Sequence, residues 1–302
     1  MNSERRWLAV LVLVTACRPD FGLPVSVVTS PRVLAVIAEP PELRPGEQVH
    51  LRTVAGGPDG PLDPRADYAF CTSPRPLVES NVVNADCLAG ATSLIATAVE
   101  STDATVAADA CLEFGPDTPA QQPGQPPLRP RDPDVTGGFY APVEVSVPGA
   151  TEAIALVRLR CNLAHASAQA AVAFAARYLP NTNPSLSTLT LERDGHPVDP
   201  ASVPASTEVT LSVTWPEGTA EPFVVHDAQS DALVDHREAL RVSWFTTGGE
   251  IPVVTTGRGE DDATTNSSTT WQTPTSGRGT VWAVLRDSRG GVAVRSLDFV
   301  VP

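Results

Sequence analysis

Val209-Thr210-Leu211-Ser212-Val213-Thr214-Trp215 places an apolar residue at every odd position and a hydroxyl residue at every even one. Side chains on one face of a strand recur every two residues, so this stretch predicts a half-buried β-strand with four apolar groups facing a core. Reading outward, Leu186–Leu191, Leu240–Thr246, Ile251–Thr255, Thr269–Thr273, Thr280–Arg286 and Val292–Val301 are short β-prone runs separated by Gly, Pro and Asp. Asp287-Ser288-Arg289-Gly290-Gly291 is the turn of a closing hairpin. Seven strands between 184 and 302 predict a two-sheet sandwich.

The preceding stretch reads similarly but less regularly. Val33–Ile37 is an apolar strand closed by Pro40-Pro41, and Val49, Leu51 and Thr53 alternate with Gln48, His50 and Arg52. Tyr68–Cys71, Pro142–Val147 and Ala153–Cys161 are further strands. Residues 79–110 are rich in Ala, Ser, Thr and Asn and give weak signals, and 116–133 holds seven prolines, which predicts an exposed loop. In Ser167–Tyr178 the run of alanines favours a short helix capped by Ser167, although Val172 and Phe174 allow a strand. Pro180-Asn181-Thr182-Asn183-Pro184 would end it and join the two halves.

The chain of 302 residues suits two domains of about 100–150 residues each. Its formal charge is −14, with 17 acidic against 10 basic residues in 31–183 and 16 against 8 in 184–302. No basic stripe is present to neutralise phosphates, so nucleic acid is excluded as a partner. All 21 basic residues are arginine. The absence of lysine rules out a P-loop lysine, a Schiff base and a Ser-Lys dyad.

Val242-Ser243-Trp244-Phe245-Thr246-Thr247-Gly248-Gly249, then Trp271-Gln272-Thr273-Pro274, then Gly279-Thr280-Val281-Trp282-Ala283-Val284-Leu285-Arg286-Asp287-Ser288-Arg289-Gly290-Gly291 resemble bacterial immunoglobulin-like domains of the PKD type. The resemblance covers roughly 184–302 and implies a sandwich with a tryptophan on its third strand. Pro31–Leu51 resembles the opening strands of a similar domain. The rest of that domain lacks a tryptophan and carries a cysteine-bearing insertion. The expected fold class is therefore all-β, two immunoglobulin-like sandwiches, the first with an irregular disulfide-bearing insertion. The expected divisions are 1–16, 17–30 as a tether, 31–183 and 184–302.

The first residues carry a second resemblance. Arg5 and Arg6 precede the apolar run Trp7–Val14, and Val14-Thr15-Ala16-Cys17 follows. The run is too short to span a bilayer. The junction resembles the lipobox of bacterial lipoproteins, which implies cleavage before Cys17, acylation of that cysteine and membrane attachment through lipid. Arg18 rather than Asp follows it, which by the same resemblance points to the outer membrane. An ordinary secretory signal is the alternative.

Four further cysteines, Cys71, Cys87, Cys111 and Cys161, make an even count in an exported chain and predict two disulfides. Of three connectivities, Cys71–Cys87 with Cys111–Cys161 is preferred. Their spacings do not form the close pairs of a zinc site.

No catalytic or cofactor motif stands out. His226 to His236 holds two histidines and Asp227, Asp231 and Asp235, read as a polar loop rather than a metal or proton-transfer site. Glu260-Asp261-Asp262 and the trio Asp59, Asp63 and Asp67 are read as solvated turns rather than calcium ligands. The expectation is a lipid-anchored, non-enzymatic envelope protein without metal or cofactor, with a protein or glycan partner. Two alternatives stand beside it. One is a carbohydrate-binding or adhesion module using an exposed Trp215–Trp271 pair. The other is an envelope enzyme with a site in 79–140.

Overall fold

The computed structural model describes residues 24–73, 83–113, 123–124, 136–163 and 166–302. Cys17 and nearly all of the proline-rich loop 116–133 lie outside them.

The first domain is built from β1 (Arg32–Glu39), β2 (Glu42–Leu43), β3 (Gln48–Gly57), β4 (Gly60–Leu62), β5 (Ala66–Cys71), β6 (Thr92–Val99), β7 (Ser101–Thr105), β8 (Gly138–Ser146) and β9 (Ala153–Arg160). β3 pairs with β1 on one edge and with β7 and β4 on the other. The facing sheet runs β2-β9-β8-β5-β6, with β2 parallel to β9. The chain breaks at Pro40-Pro41 because proline cannot donate to a ladder, and it resumes in the opposite sheet.

Helix α1 (Ala85–Leu88) and helix α2 (Ala110–Glu113) carry one cysteine each. Cys71 at the end of β5 is bonded to Cys87 in α1, and Cys111 in α2 to Cys161 just past β9. The Cα separations of 5.3 and 5.7 Å suit a disulfide.

Helix α3 (Ala168–Arg177) occupies the alanine run. The Ser167 side chain accepts a hydrogen bond from the Ala170 amide, the N-cap its position predicted.

The second domain comprises β10 (Thr188–Arg193), β11 (His196–Pro197), β12 (Glu208–Thr214), β13 (Pro222–Asp227), β14 (Ala232–Arg237), β15 (Leu240–Thr246), β16 (Thr255–Arg258), β17 (Asn266–Gln272), β18 (Gly277–Asp287) and β19 (Val292–Val301). Its sheets are β11-β10-β12-β17 and β16-β15-β18-β19, and β13 pairs with β14 apart from both. The two domains share one strand order. First, second and fifth strands form one sheet (β1-β3-β7 and β10-β12-β17). The fourth, third, sixth and seventh form the other (β6-β5-β8-β9 and β16-β15-β18-β19). Two packed antiparallel sheets with this connectivity are an immunoglobulin-like sandwich.

The cores explain the missing tryptophan. Trp244 on β15 is fully buried between the sheets, its indole N–H donating to Thr256 Oγ1 at 2.9 Å. On β5, the equivalent third strand of the first domain, Tyr68 is equally buried and its hydroxyl meets Thr53 Oγ1 at 2.8 Å. A tyrosine with a partnered hydroxyl fills the place of the indole.

Three local expectations change. Residues 226–236, expected as a loop, form most of the β13–β14 hairpin, with Asp231 at φ +50° in its turn. Within Ile251–Thr255 only Ile251 is buried and Val253 is exposed, and the strand begins at Thr255 (Thr255–Arg258), because Pro252 removes a donor inside the expected run. In the expected tether 17–30, a described piece is docked. Val28 N–H donates to Thr246 O and Thr246 N–H to Ser26 O, both at 2.8 Å, which lays residues 26–28 alongside β15.

Candidate functional site

Among the described residues, a dense group of ionisable side chains lies where the two sandwiches meet. Arg289 leads out of the β18–β19 turn. In that turn Asp287 Oδ1 accepts from the amides of Arg289 and Gly291 at 2.8 and 2.9 Å. A Cβ at position 291 would fall 2.1 Å from Asp287 Oδ2, so the turn needs glycine there. The guanidinium of Arg289 is buried. Its Nε donates to Glu238 Oε1 at 2.6 Å, Nη2 to Glu221 Oε2 at 2.9 Å and Nη1 to the Leu179 carbonyl at 2.8 Å. The Phe223 and Tyr178 rings lie 5.0 and 5.7 Å away.

The first domain contributes Glu42 from β2 and Arg158 from β9. Glu42 Oε2 accepts from the Tyr178 hydroxyl at 2.9 Å and the Asn181 amide at 2.8 Å, and lies 3.8 Å from Arg289 Nη1. Arg158 Nε is 3.7 Å from Glu42 Oε1, and its Nη2 donates to Thr136 Oγ1 at 2.7 Å. Glu42 thus stands between a guanidinium of its own domain and one of the other. Asn181 extends the chain of contacts by donating Nδ2 to the Asp287 carboxylate.

Four carboxylates, Glu42, Glu221, Glu238 and Asp287, surround two guanidiniums in this region. Removing an ion from water costs several kcal/mol unless it is paired, so an excess of buried acid favours proton uptake. Burial and the Asp287 charge push Glu238 up to about 7, against the pull of Arg289. Burial also raises Asp287 despite the amides it accepts from.

Polar and apolar contacts flank the cluster. Asn183 Nδ2 donates to Ala38 O and Glu39 Oε2, both at 2.7 Å, while its Oδ1 accepts from the Val292 amide. Arg286 Nη2 donates to Leu34 O at 2.9 Å. Leu34 and Ala35 of β1 pack with Val28, Trp282 and Val284 in one buried apolar cluster shared by both domains. A groove of about 300 Å³ beside it is bordered by β1, β9, Tyr140 and Arg286. The cluster's chemistry is adhesive: Glu42, Glu238, Asp287, Arg158 and Arg289 are buried against one another, with Glu221 at the rim.

The residues singled out from sequence are not gathered at one place. Buried His226 contacts Asp231 Oδ1 at 2.9 Å, and the same oxygen accepts from the Ser167 amide at the start of α3. The Ser167 side chain foremost, then His226 and the Ser167 amide, hold Asp231 down at about 2. His236 instead pairs with Glu260. Asp262 faces Arg258 and Thr264, Asp63 faces Arg65, and Asp67 accepts from the Ala98 amide. Among the described residues no group of three or more His, Cys, Asp or Glu is placed to hold a metal ion.

All four tryptophans after residue 17 are buried, Trp215 included at 5% exposure. Trp271 donates to Gly248 O and meets Phe299 edge-on. The expected exposed Trp215–Trp271 pair is therefore absent, because both indoles complete the second core. Trp215 also borders a cavity of about 270 Å³ with Arg237, Glu238 and Arg258. Much of the alternative enzymatic region 79–140 lies outside the described residues.

Sequence reasoning missed the junction because its members are scattered from 42 to 289. The one local signal was an arginine inside a tight Asp-Ser-Arg-Gly-Gly turn, a place where a cation is normally solvated.

No protein family model matches the chain, and no curated protein sequence does. Among solved structures, it is similar to the fibronectin(III)-like modules of Clostridium thermocellum CbhA, at 11% identity over 88% of this chain and 94% of that one, with a TM-score of 0.22. The D0-D1 domain of Intimin matches at 11% identity over 89% and 99%, with a TM-score of 0.23. The Yersinia pseudotuberculosis adhesin InvE matches at 10% over 88% and 58%, with a TM-score of 0.22. These scores are low, and the immunoglobulin-like assignment stands on the strand order given above.

Proposed function

We propose that this chain is a non-catalytic, lipid-anchored module of the cell envelope, attached through Cys17 and exposing two coupled β-sandwiches to a protein or glycan partner. The observation that carries the non-catalytic reading is the junction: among the described residues, a dense gathering of ionisable side chains is spent on locking two sandwiches together, with Glu42, Arg158, Glu238 and Arg289 buried against one another. The two disulfides support an oxidising compartment. The basic pair, the short apolar run and Ala16-Cys17 support the anchor, and the absence of Asp after Cys17 favours the outer membrane. Several acyl chains on one cysteine would hold the protein stably, where a single chain holds only marginally. The PKD-type resemblance of 184–302 fits the same setting.

Labelled palmitate supplied to expressing cells tests the anchor. The expected result is label and membrane fractionation in the parent chain and loss of both in Cys17→Ala. An unlabelled, unprocessed chain free in the cytosol refutes it.

A further inference from the structure

We infer that the groove along β15, β16 and β18 binds a small soluble molecule by its phosphate group, gripped between Arg241 and Arg286. Arg241 on β15 lies directly opposite Arg286 on β18, so their side chains are neighbours on one face of the sheet. No other pair in the described ladders sets arginine against arginine. Like charges directly opposite repel, and an anion seated between them relieves that repulsion.

Neither guanidinium is met by an acid of the protein. Arg241 is exposed, and among the described residues its side chain makes no hydrogen bond or ion pair. Arg286 is half-buried, yet both its acceptors are neutral: the Leu34 carbonyl at 2.9 Å and the Ser243 hydroxyl at 3.4 Å. Burial pulls Arg286 below the usual arginine range, with no carboxylate to oppose it.

The pair borders a groove of about 640 Å³, a volume suited to a small ligand. Gly257 pairs with Arg241 from the β16 side and keeps that flank open, since a Cβ there would fall 2.1 Å from Leu240 O. Thr255 on β16 and Ser288 in the β18–β19 turn bring hydroxyls to the rim. On the same face, β18 continues through Val284 and Trp282 into the apolar cluster shared by both domains, which fixes Arg286 in place.

Charge selects the occupant. Arg258 and Asp287 also border the groove, but both pair with Leu240, a core residue, so their side chains leave the opposite face. Arg258 is met by Asp262, and the Asp287 carboxylate is taken by two amides and Asn181. Two uncompensated positive charges remain. A phosphomonoester carries about −1.5 to −2 near pH 7, which balances both and offers three oxygens to two planar donors, whereas a carboxylate balances one. The net charge of −14 bears on the source. It repels an anionic membrane as a whole, while a small solute inside the groove feels chiefly charges within the screening length of about 10 Å.

Calorimetric titration of inorganic phosphate and of glycerol phosphate into the full chain bearing Cys17→Ala, which needs no detergent, tests this. Saturable one-to-one binding with a Kd of about 1 mM or tighter is expected, with acetate weaker by roughly tenfold. Arg241→Gln, which has no native side-chain bond to lose, should weaken phosphate roughly tenfold, as should Arg286→Gln. Arg278→Gln, exposed at the other end of β18, should leave it unchanged. No heat at about 10 mM phosphate overturns the inference. So does binding indifferent to Arg241→Gln, or acetate binding as well as phosphate. Capture by phosphatidylcholine vesicles doped with phosphatidic acid, without binding of either soluble phosphate, would replace the small solute by a lipid headgroup and overturn it equally.

Discussion

Arg289 and Glu238 show how much one residue can be asked to do in this molecule. A guanidinium with four hydrogen bonds, to Glu238, Glu221, the Leu179 carbonyl and the Tyr178 hydroxyl, and two aromatic rings around it is well matched to a site facing more acid than base. The surplus acid has a measurable consequence at Glu238. Its carboxyl is raised from 4.5 to about 7 in the folded chain, so the fold binds the proton more tightly than the unfolded chain does. The associated stability is complete below the unfolded value and is lost as pH climbs through about 7. A shift of that size corresponds to roughly 3 kcal/mol at full effect. Urea unfolding at pH 5 and pH 8.5 should therefore show the chain more stable at the lower value, and Glu238→Gln should flatten the difference. Equal stability of the parent chain at both values would remove the role assigned to this carboxyl.

Among the elements, legibility followed burial. β12 and β15 have one face in the core and one outside, so alternation announced them, and β18 and β19 were bounded by a recognisable turn. β6 and β7 were missed because neither of their faces is uniformly buried, and Ala, Ser and Thr fit a strand as readily as a loop. The β13–β14 hairpin was hidden by its polar residues: His226 is buried only because Asp231 and the start of α3 close over it, a tertiary fact absent from local pattern. The helix at 168–177 was readable from its alanines and its serine cap, while the junction side chains required knowing which strands adjoin. The insertion of the first domain relies on its cysteines. Bridges spanning 16 and 50 residues should restrict the unfolded chain by about 3 and about 4 kcal/mol. Replacing Cys111 and Cys161 together by alanine is expected to cost more stability than replacing Cys71 and Cys87, as read by the urea midpoint of the first domain. The reverse order would mean that strain or residual structure outweighs loop closure.

For the molecule as a whole, the decisive question is whether two sandwiches behave as one body. The linker is not a free hinge: Asn181 and Asn183 are both bonded to each domain. Trp282 projects from the second domain into the apolar cluster shared with β1. Trp282→Ala removes the largest side chain of that cluster and should cost about 3–5 kcal/mol of contact. Small-angle scattering should then show a larger radius of gyration and a broadened distance distribution, with both sandwiches still folded by amide exchange. An unchanged scattering profile would show that the polar bonds alone hold the arrangement.

The strip of chain at 26–28 has a mechanical consequence. Because it is laced to Thr246, traction applied upstream of residue 24 is carried by β15 as well as by the bond from the Arg32 side chain of β1 to the Val25 carbonyl. The load is thus shared with the sandwich that comes second, out of the order of the sequence. A tug at Cys17 would have to peel this lace away before the strands it is laced to felt shear, which makes the strip a sacrificial fastening, able to yield and re-form while both domains stay intact.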